Sequence, residues 1–238
     1  MTKIQISDVW DATTIPCASK LGSEVVHLWQ RRLTVPAAEV SACYGLLSRE
    51  EQQRALRFRP ERSRNDFVLT RGTLRILLAQ YLDISSQEIR FRYQEHGKPI
   101  LEGESDLRFN VSHTDGLALM AFVRQRALGV DVEKLGREIE AEQLAERFFS
   151  EPERQALRHL KGRELQVAFF RCWTRKEAYI KAKGNGLSMP LHQFDVSIEA
   201  ADRDALLATR PDPVEAGRWK ICDVPIGPGY AAAVAIAE

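Results

Sequence analysis

Leu128-Gly129-Val130-Asp131-Val132-Glu133 begins apolar and then alternates apolar with acidic residues. A period of two reads as a β-strand, and because successive strand side chains leave opposite faces, Asp131 and Glu133 share one side. On these residues alone a solvated strand face stays open, since alternating charge commonly marks one. The stretch also starts the second of two similar runs of elements, and that recurrence decides the fold. Upstream, a strand-like Val25–Trp29 precedes helical patterns over Ser48–Phe58 and Glu61–Leu82, then strand-like Ile89–Tyr93, Leu107–Val111 and Leu117–Val123. Downstream, Leu128–Val132 precedes helical patterns between Glu140 and Lys183, then strand-like Phe194–Ile198, Trp219–Val224 and Tyr230–Ile236. Turn-forming His96-Gly97-Lys98-Pro99 and Thr114-Asp115-Gly116 punctuate the first run. Strands clustered after helices predict an α+β protein. Its two similarly built halves, 1–127 and 128–238, would hold a ligand cleft between them.

From Val167 to Lys183 the pattern is helical, and Phe170 and Trp173 start a stripe that Glu177 and Lys181 continue at a spacing of four. A solvated Glu–Lys pair would stabilise such a helix by only a few tenths of a kcal/mol. Trp173 argues that this face turns inward, where unpaired charge is costly. Gly184-Asn185-Gly186 then stops the helix and lets the backbone bend closely around a ligand. If Glu177 meets Asp131 and Glu133, three carboxylates raise one another's pKa unless a cation joins them. Oxygen-only donors favour Mg²⁺ or Mn²⁺ over zinc, and such an ion commonly shares its shell with substrate phosphates.

Phe109-Asn110-Val111-Ser112-His113-Thr114 ends an apolar strand in polar residues. Ser112 and His113 can both donate to phosphate oxygens, although a polar turn would use the same residue types. Lys98 is a point charge on a stiff Gly-Lys-Pro loop, and Arg54, Arg71 and Arg75 lie on arginine-rich helices where most such residues simply meet water. The opposite facing of Ser112 and His113 and the lack of a GxSxG elbow speak against a serine hydrolase.

Composition sets the remaining limits. Thirty-four Lys and Arg against 33 Asp and Glu give a net charge of +1, too small to wrap nucleic acid or coat a membrane. No apolar run approaches the roughly 20 residues that span a bilayer, and Met1–Trp10 lacks the layout of a signal peptide, so the expected location is cytoplasmic. Cys17, Cys43, Cys172 and Cys222 are widely spaced, which predicts buried free thiols.

His96-Gly97-Lys98-Pro99, FNVSH at 109–113, FFSEPE at 148–153, GVDVE at 129–133 and WTRKEAYIKAKGNGL at 173–187, with the arginine-rich helix around Arg54, together resemble the 4′-phosphopantetheinyl transferases of the surfactin-synthetase-activating type. The resemblance covers most of the chain beyond its first 20 or so residues. It implies two α+β subdomains related by a pseudo-twofold, with coenzyme A bound in the cleft between them. Asp131, Glu133 and Glu177 match the acidic metal positions, and Lys181 matches the helix lysine on the phosphates. Lys98, Ser112 and His113 match residues that hold the nucleotide phosphates. Arg54 matches a basic position near the ribose 3′-phosphate, and Glu153 an acidic residue considered for proton transfer.

The implied reaction moves 4′-phosphopantetheine from coenzyme A to a serine of an apo acyl, polyketide or peptidyl carrier protein, with Mg²⁺ or Mn²⁺ as cofactor. Glu177, Lys181 and His113 are the implied catalytic groups, and a chain that carries both halves is expected to be a monomer. A magnesium-dependent nucleotide pyrophosphohydrolase would use the same carboxylates to activate water, and a carrier-binding module without turnover is a third reading. Retention of Asp131, Glu177 and Lys181 speaks against that last one.

Overall fold

The computed structural model describes residues 5–11, 21–95, 97–184, 189–200 and 205–238. Cys17, His96, Asn185, Gly186 and Leu187 lie outside the described residues. The first run of elements is β1 (Gln5–Asp11), β2 (Val25–Arg32), α1 (Ala37–Gly45), α2 (Arg49–Leu56), α3 (Glu61–Leu82), β3 (Phe91–Tyr93), β4 (Pro99–Leu101), β5 (Leu107–Thr114) and β6 (Leu117–Arg124). The second is β7 (Leu128–Lys134), α4 (Ala141–Phe148), α5 (Glu151–Leu157), α6 (Gly162–Lys183), β8 (Phe194–Val196), β9 (Leu206–Thr209), β10 (Trp219–Asp223) and β11 (Tyr230–Ala237).

The sheets explain why β6 reads as one unbroken apolar run. In the first sheet the strand order is β1-β2-β6-β5. Ala118, Met120 and Phe122 of β6 point to the core shared with α3, whereas Leu117, Leu119, Ala121 and Val123 point to a second core. That second core also takes Val130 and Val132 of β7 and Ala232, Val234 and Ile236 of β11. The other sheet, ordered β10-β11-β7, turns Ala233 and Ala235 toward α6. The layers therefore run α3, sheet, sheet, α6, and the inner strands are buried on both faces.

The recurrence expected from the sequence is present in the topology. β2, α3, the β3–β4 hairpin, β5 and β6 are matched by β7, α6, the β8–β9 hairpin, β10 and β11. Strand order is β2-β6-β5 in one sheet and β7-β11-β10 in the other, with antiparallel neighbours throughout. Four elements lie outside the sequence expectations: β1, α1, β4 and β9. Three of the four are short or have mixed burial patterns. β1 pairs parallel to β2 as an added edge strand. α6 starts at Gly162, five residues before the expected Val167, because a polar first turn carries no apolar stripe.

Local chemistry sets the ends of these helices. Ser48 and Glu51 form a capping box on α2, with Ser48 N–H donating to Glu51 Oε2 at 2.9 Å and Glu51 N–H to Ser48 Oγ at 3.3 Å. Gly184 closes α6 at φ +77°, a left-handed conformation that glycine adopts without steric cost.

Gly129 sets how deeply α6 sits on β7. A Cβ at this position would stand 2.1 Å from Ala178 O and 2.4 Å from Ala182 N, so helix backbone rests directly on strand backbone. The close approach brings the Glu177–Lys181 face over Asp131, two residues along the strand. Gly129→Ala is expected to cost about 3 kcal/mol, the upper part of the usual overpacking range. That lowers the melting midpoint by roughly 6–12 °C for a chain of this size. Thermal unfolding followed by circular dichroism checks this, and an unchanged midpoint would contradict the packing described.

Candidate active site

β5 and β7 are edge strands of different sheets, and they lie side by side without a backbone ladder. Side chains of β5 bridge them instead. Asn110 Oδ1 accepts from Val130 N–H at 2.8 Å, Ser112 Oγ donates to Asp131 Oδ1 at 2.8 Å, and Thr114 Oγ1 accepts from Lys134 N–H at 3.2 Å. Residue numbers rise together along this seam, so the two strands run in the same direction. The strand expected to end at Val111 continues to Thr114, which places Ser112 and His113 within β5 and not in a turn.

Asp131 is the centre of the site. It is 4% exposed, and its Oδ1 accepts from Ser112 and from the Lys181 ammonium at 2.6 Å. Lys181 Nζ also donates to Ser112 Oγ at 3.0 Å and Val130 O at 3.3 Å. Asp131 Oδ2 is buried with no hydrogen-bond donor. A buried carboxylate oxygen without a partner is costly and calls for a cation or a donor.

Glu133 and Glu177 complete an acidic neighbourhood. The Glu177 carboxyl is pushed up to about 7, first by burial and then by the charge of Asp131, with Lys181 opposing and Glu133 adding. Glu133 is also raised, by burial and then Asp131, against Arg137, the Thr114 hydroxyl and Lys181. The three carboxylates thus feel one another, and Lys181 offsets part of their repulsion. Among the described residues, no three acidic, His or Cys side chains stand as a ready-made metal cage. The donor set still fits a hard divalent cation: it is all oxygen, it has one orphaned buried oxygen, and it holds two carboxyls short of positive charge.

Other expected site residues are placed differently. Lys98 Nζ donates to Lys181 O at 2.6 Å and Leu128 O at 3.2 Å, tying β4 to the last turn of α6. Burial, then the charge of Lys181, pushes its pKa down to about 8. Lys98 lines a cavity of about 930 Å³ with Arg92, Arg108 and Lys183. His113 is exposed on β5. Its pKa is lowered by desolvation, with Asp66 opposing and Lys181 adding. Arg54 lies over the rings of Phe67 and Tyr93, with centroid distances of 5.4 and 5.6 Å, and lines a separate groove of about 720 Å³. None of its described contacts reaches the carboxylates.

Several charged residues near these motifs hold the fold together. Arg75 Nε donates to Glu51 Oε2 at 2.6 Å and Arg75 Nη1 to Ser86 O at 2.6 Å, while Arg71 stacks on Phe91. Glu153 is 2% exposed and is spent on Ser150 N–H, Val196 N–H and the Lys176 ammonium, at 2.9, 2.7 and 2.7 Å. Arg175 reaches Asp223 and the carbonyls of Ser197 and Glu199. Sequence reasoning missed the structural work of Arg175 and Lys176, because within WTRKEAYIK their charge looks like that of Glu177 and Lys181. It also missed Asn110 and Thr114, whose signal was their alternation with Ser112.

Comparison with known proteins supplies independent information. Residues 127–235 match the model of the 4′-phosphopantetheinyl transferase superfamily, and residues 34–125 match the 4′-phosphopantetheinyl transferase N-terminal model. The chain is 37% identical to the 4′-phosphopantetheinyl transferase HetI of Nostoc sp., across 90% of this chain and 89% of that protein. It is 33% identical to the 4′-phosphopantetheinyl transferase Sfp of Bacillus subtilis, across 64% of this chain and 66% of that one. With the 4′-phosphopantetheinyl transferase gsp of Aneurinibacillus migulanus the identity is 36%, across 62% and 60%.

The raised Glu177 carboxyl has a signed consequence for the metal-free protein. The folded state holds a proton on Glu177 up to about pH 7, whereas the unfolded chain releases it near 4.5. Between those values the folded state binds more protons, so stability falls as pH rises and levels off above about 7. Glu177→Gln is expected to melt higher than wild type at pH 8 and alike at pH 4 in chelator, as read by melting midpoints. A wild type equally stable relative to Glu177→Gln at both pH values would contradict the crowding of carboxylates.

Proposed function

Since the chain belongs to the 4′-phosphopantetheinyl transferase superfamily, we propose that it transfers 4′-phosphopantetheine from coenzyme A to a serine hydroxyl of an apo carrier protein. The observation that carries this reading onto the molecule is Asp131, a buried carboxylate shared by Ser112 and Lys181, with its second oxygen unpartnered beside Glu133 and Glu177.

In this reading Asp131, Glu133 and Glu177 would hold Mg²⁺ or Mn²⁺, which when bound draws negative charge off the coenzyme A diphosphate. The Lys181 ammonium, 2.6 Å from Asp131, would stabilise charge on the leaving group. Ser112, buried against Asp131, and His113, exposed at the next position of β5, would orient the phosphates by hydrogen bonds. Lys98 acts from beneath, fixing the end of α6 that carries Lys181 and adding a positive charge to the adjoining cavity. Arg54 would take the ribose 3′-phosphate at the outer end of the nucleotide.

The carrier serine oxygen forms a bond to the phosphorus on the pantetheine side, and the bridging P–O bond of the diphosphate breaks. Adenosine 3′,5′-bisphosphate leaves with that electron pair. The serine proton goes to Glu177, directly or through one water. The halves 1–127 and 128–238 flank the cleft, and the enzyme works as a monomer.

Intact mass spectrometry of several apo carrier proteins incubated with the protein, coenzyme A and Mg²⁺ tests the activity. One phosphopantetheine added per carrier is expected, and release of free phosphopantetheine without a carrier would replace this reading by hydrolysis. Asp131→Ala is expected to lower transfer by about 100-fold or more while the fold persists. Lys181→Ala should lower kcat far more than it changes the KM for carrier. A change in carrier KM alone would move Lys181 to a docking role.

A further inference from the structure

The β5–β7 seam holds the two sheets in register at the carboxylates, and its end residue has no role in the reading above. β7 gives one backbone edge to β11, where it is fully paired. Its other edge faces β5, and there side chains do the pairing. Asn110 takes Val130 N–H and Thr114 takes Lys134 N–H, the same offset of twenty residues at both ends of the seam. The two acidic residues of β7 lie between those anchors. Ser112 holds Asp131 at 2.8 Å, and the Thr114 hydroxyl donates to Glu133 Oε2 at 3.4 Å.

Thr114 therefore makes two contacts with opposite polarity. Its oxygen accepts from the β7 backbone, which orients its proton outward toward the Glu133 carboxylate. Glu133 has few other restraints, since Arg137 approaches it at only 3.9 Å from an exposed position. A flexible glutamate with one weak outer contact would lose side-chain entropy on joining an ion, and a hydroxyl fixed by the backbone lowers that cost.

We infer that Thr114 is a positioning residue: it fixes Glu133 and the end of β7 so that Glu133 is presented beside Asp131 to the same divalent ion. The inference rests on the proposed reading of Asp131 and Glu133 as ion ligands. Thr114 touches no substrate in this account, and its effect passes through Glu133.

Mn²⁺ binding to the whole purified chain, followed by electron paramagnetic resonance in the absence of coenzyme A, gives a readout independent of turnover. Thr114→Val and Thr114→Ala, which both remove the hydroxyl, are expected to weaken Mn²⁺ about tenfold. Thr114→Ser, which keeps the hydroxyl, should restore wild-type affinity, and the metal-free melting midpoints should stay close together. In transfer assays the hydroxyl-free variants should need more metal for half-maximal rate, with kcat recovered at saturating Mn²⁺. Unchanged Mn²⁺ affinity in either hydroxyl-free variant that folds, or a Thr114→Ser as weak as Thr114→Val, would overturn the role. Absence of Mn²⁺ binding by wild type would overturn the ion reading and this inference with it, whereas wild-type binding with equal affinity in the variants overturns the inference alone.

Discussion

The partly buried ion pair between Lys181 and Asp131 is the contact on which the rest of the site depends. Its partners come from the last turns of α6 and from the middle of β7, and Ser112 of the other sheet joins both at hydrogen-bond distance. Removing charges from water is expensive, so such a pair holds only with good geometry and further donors. Gly129 supplies the geometry by letting helix backbone settle on strand backbone, and Ser112 supplies a donor. One glycine and one serine thus convert two remote motifs into a single constellation.

That constellation is left incompletely neutralised. One ammonium faces three carboxylates, the second oxygen of Asp131 has no donor, and two of the three carboxyls are raised above their ordinary values. Glu153, by contrast, is met by three donors. Glu153 and Lys176 satisfy each other, whereas Asp131, Glu133 and Glu177 retain capacity for positive charge.

Much of this was legible in the sequence, for definite physical reasons. Period-two and period-3.6 patterns located β5, β6, β7, α3 and α6, because these elements bury continuous apolar faces; α3 was bounded correctly at both ends. α1, β4 and β9 were not legible, being short or partly exposed, so no apolar period stands out in them, and β1 was missed as well. The same-side placement of Asp131 and Glu133 follows from the strand period, whereas the Trp173–Glu177–Lys181 stripe, expected to turn inward, is the half-exposed face of an otherwise buried α6. Contacts across the seam do not, since nothing in a local pattern says which edge β5 will face. For that reason the fold-holding use of Lys98, Arg175 and Lys176 could not be told from ligand binding by residue type. All three donate to backbone carbonyls, and only those acceptors reveal the task.

Crystals grown with coenzyme A and Mn²⁺ and measured at the manganese absorption edge test the central claim most directly. The account predicts one anomalous peak bounded by Asp131, Glu133 and Glu177, with the diphosphate beside it and the Lys181 ammonium turned onto a phosphate oxygen. Manganese elsewhere, or a diphosphate bound out of reach of Asp131 and Lys181, would contradict it.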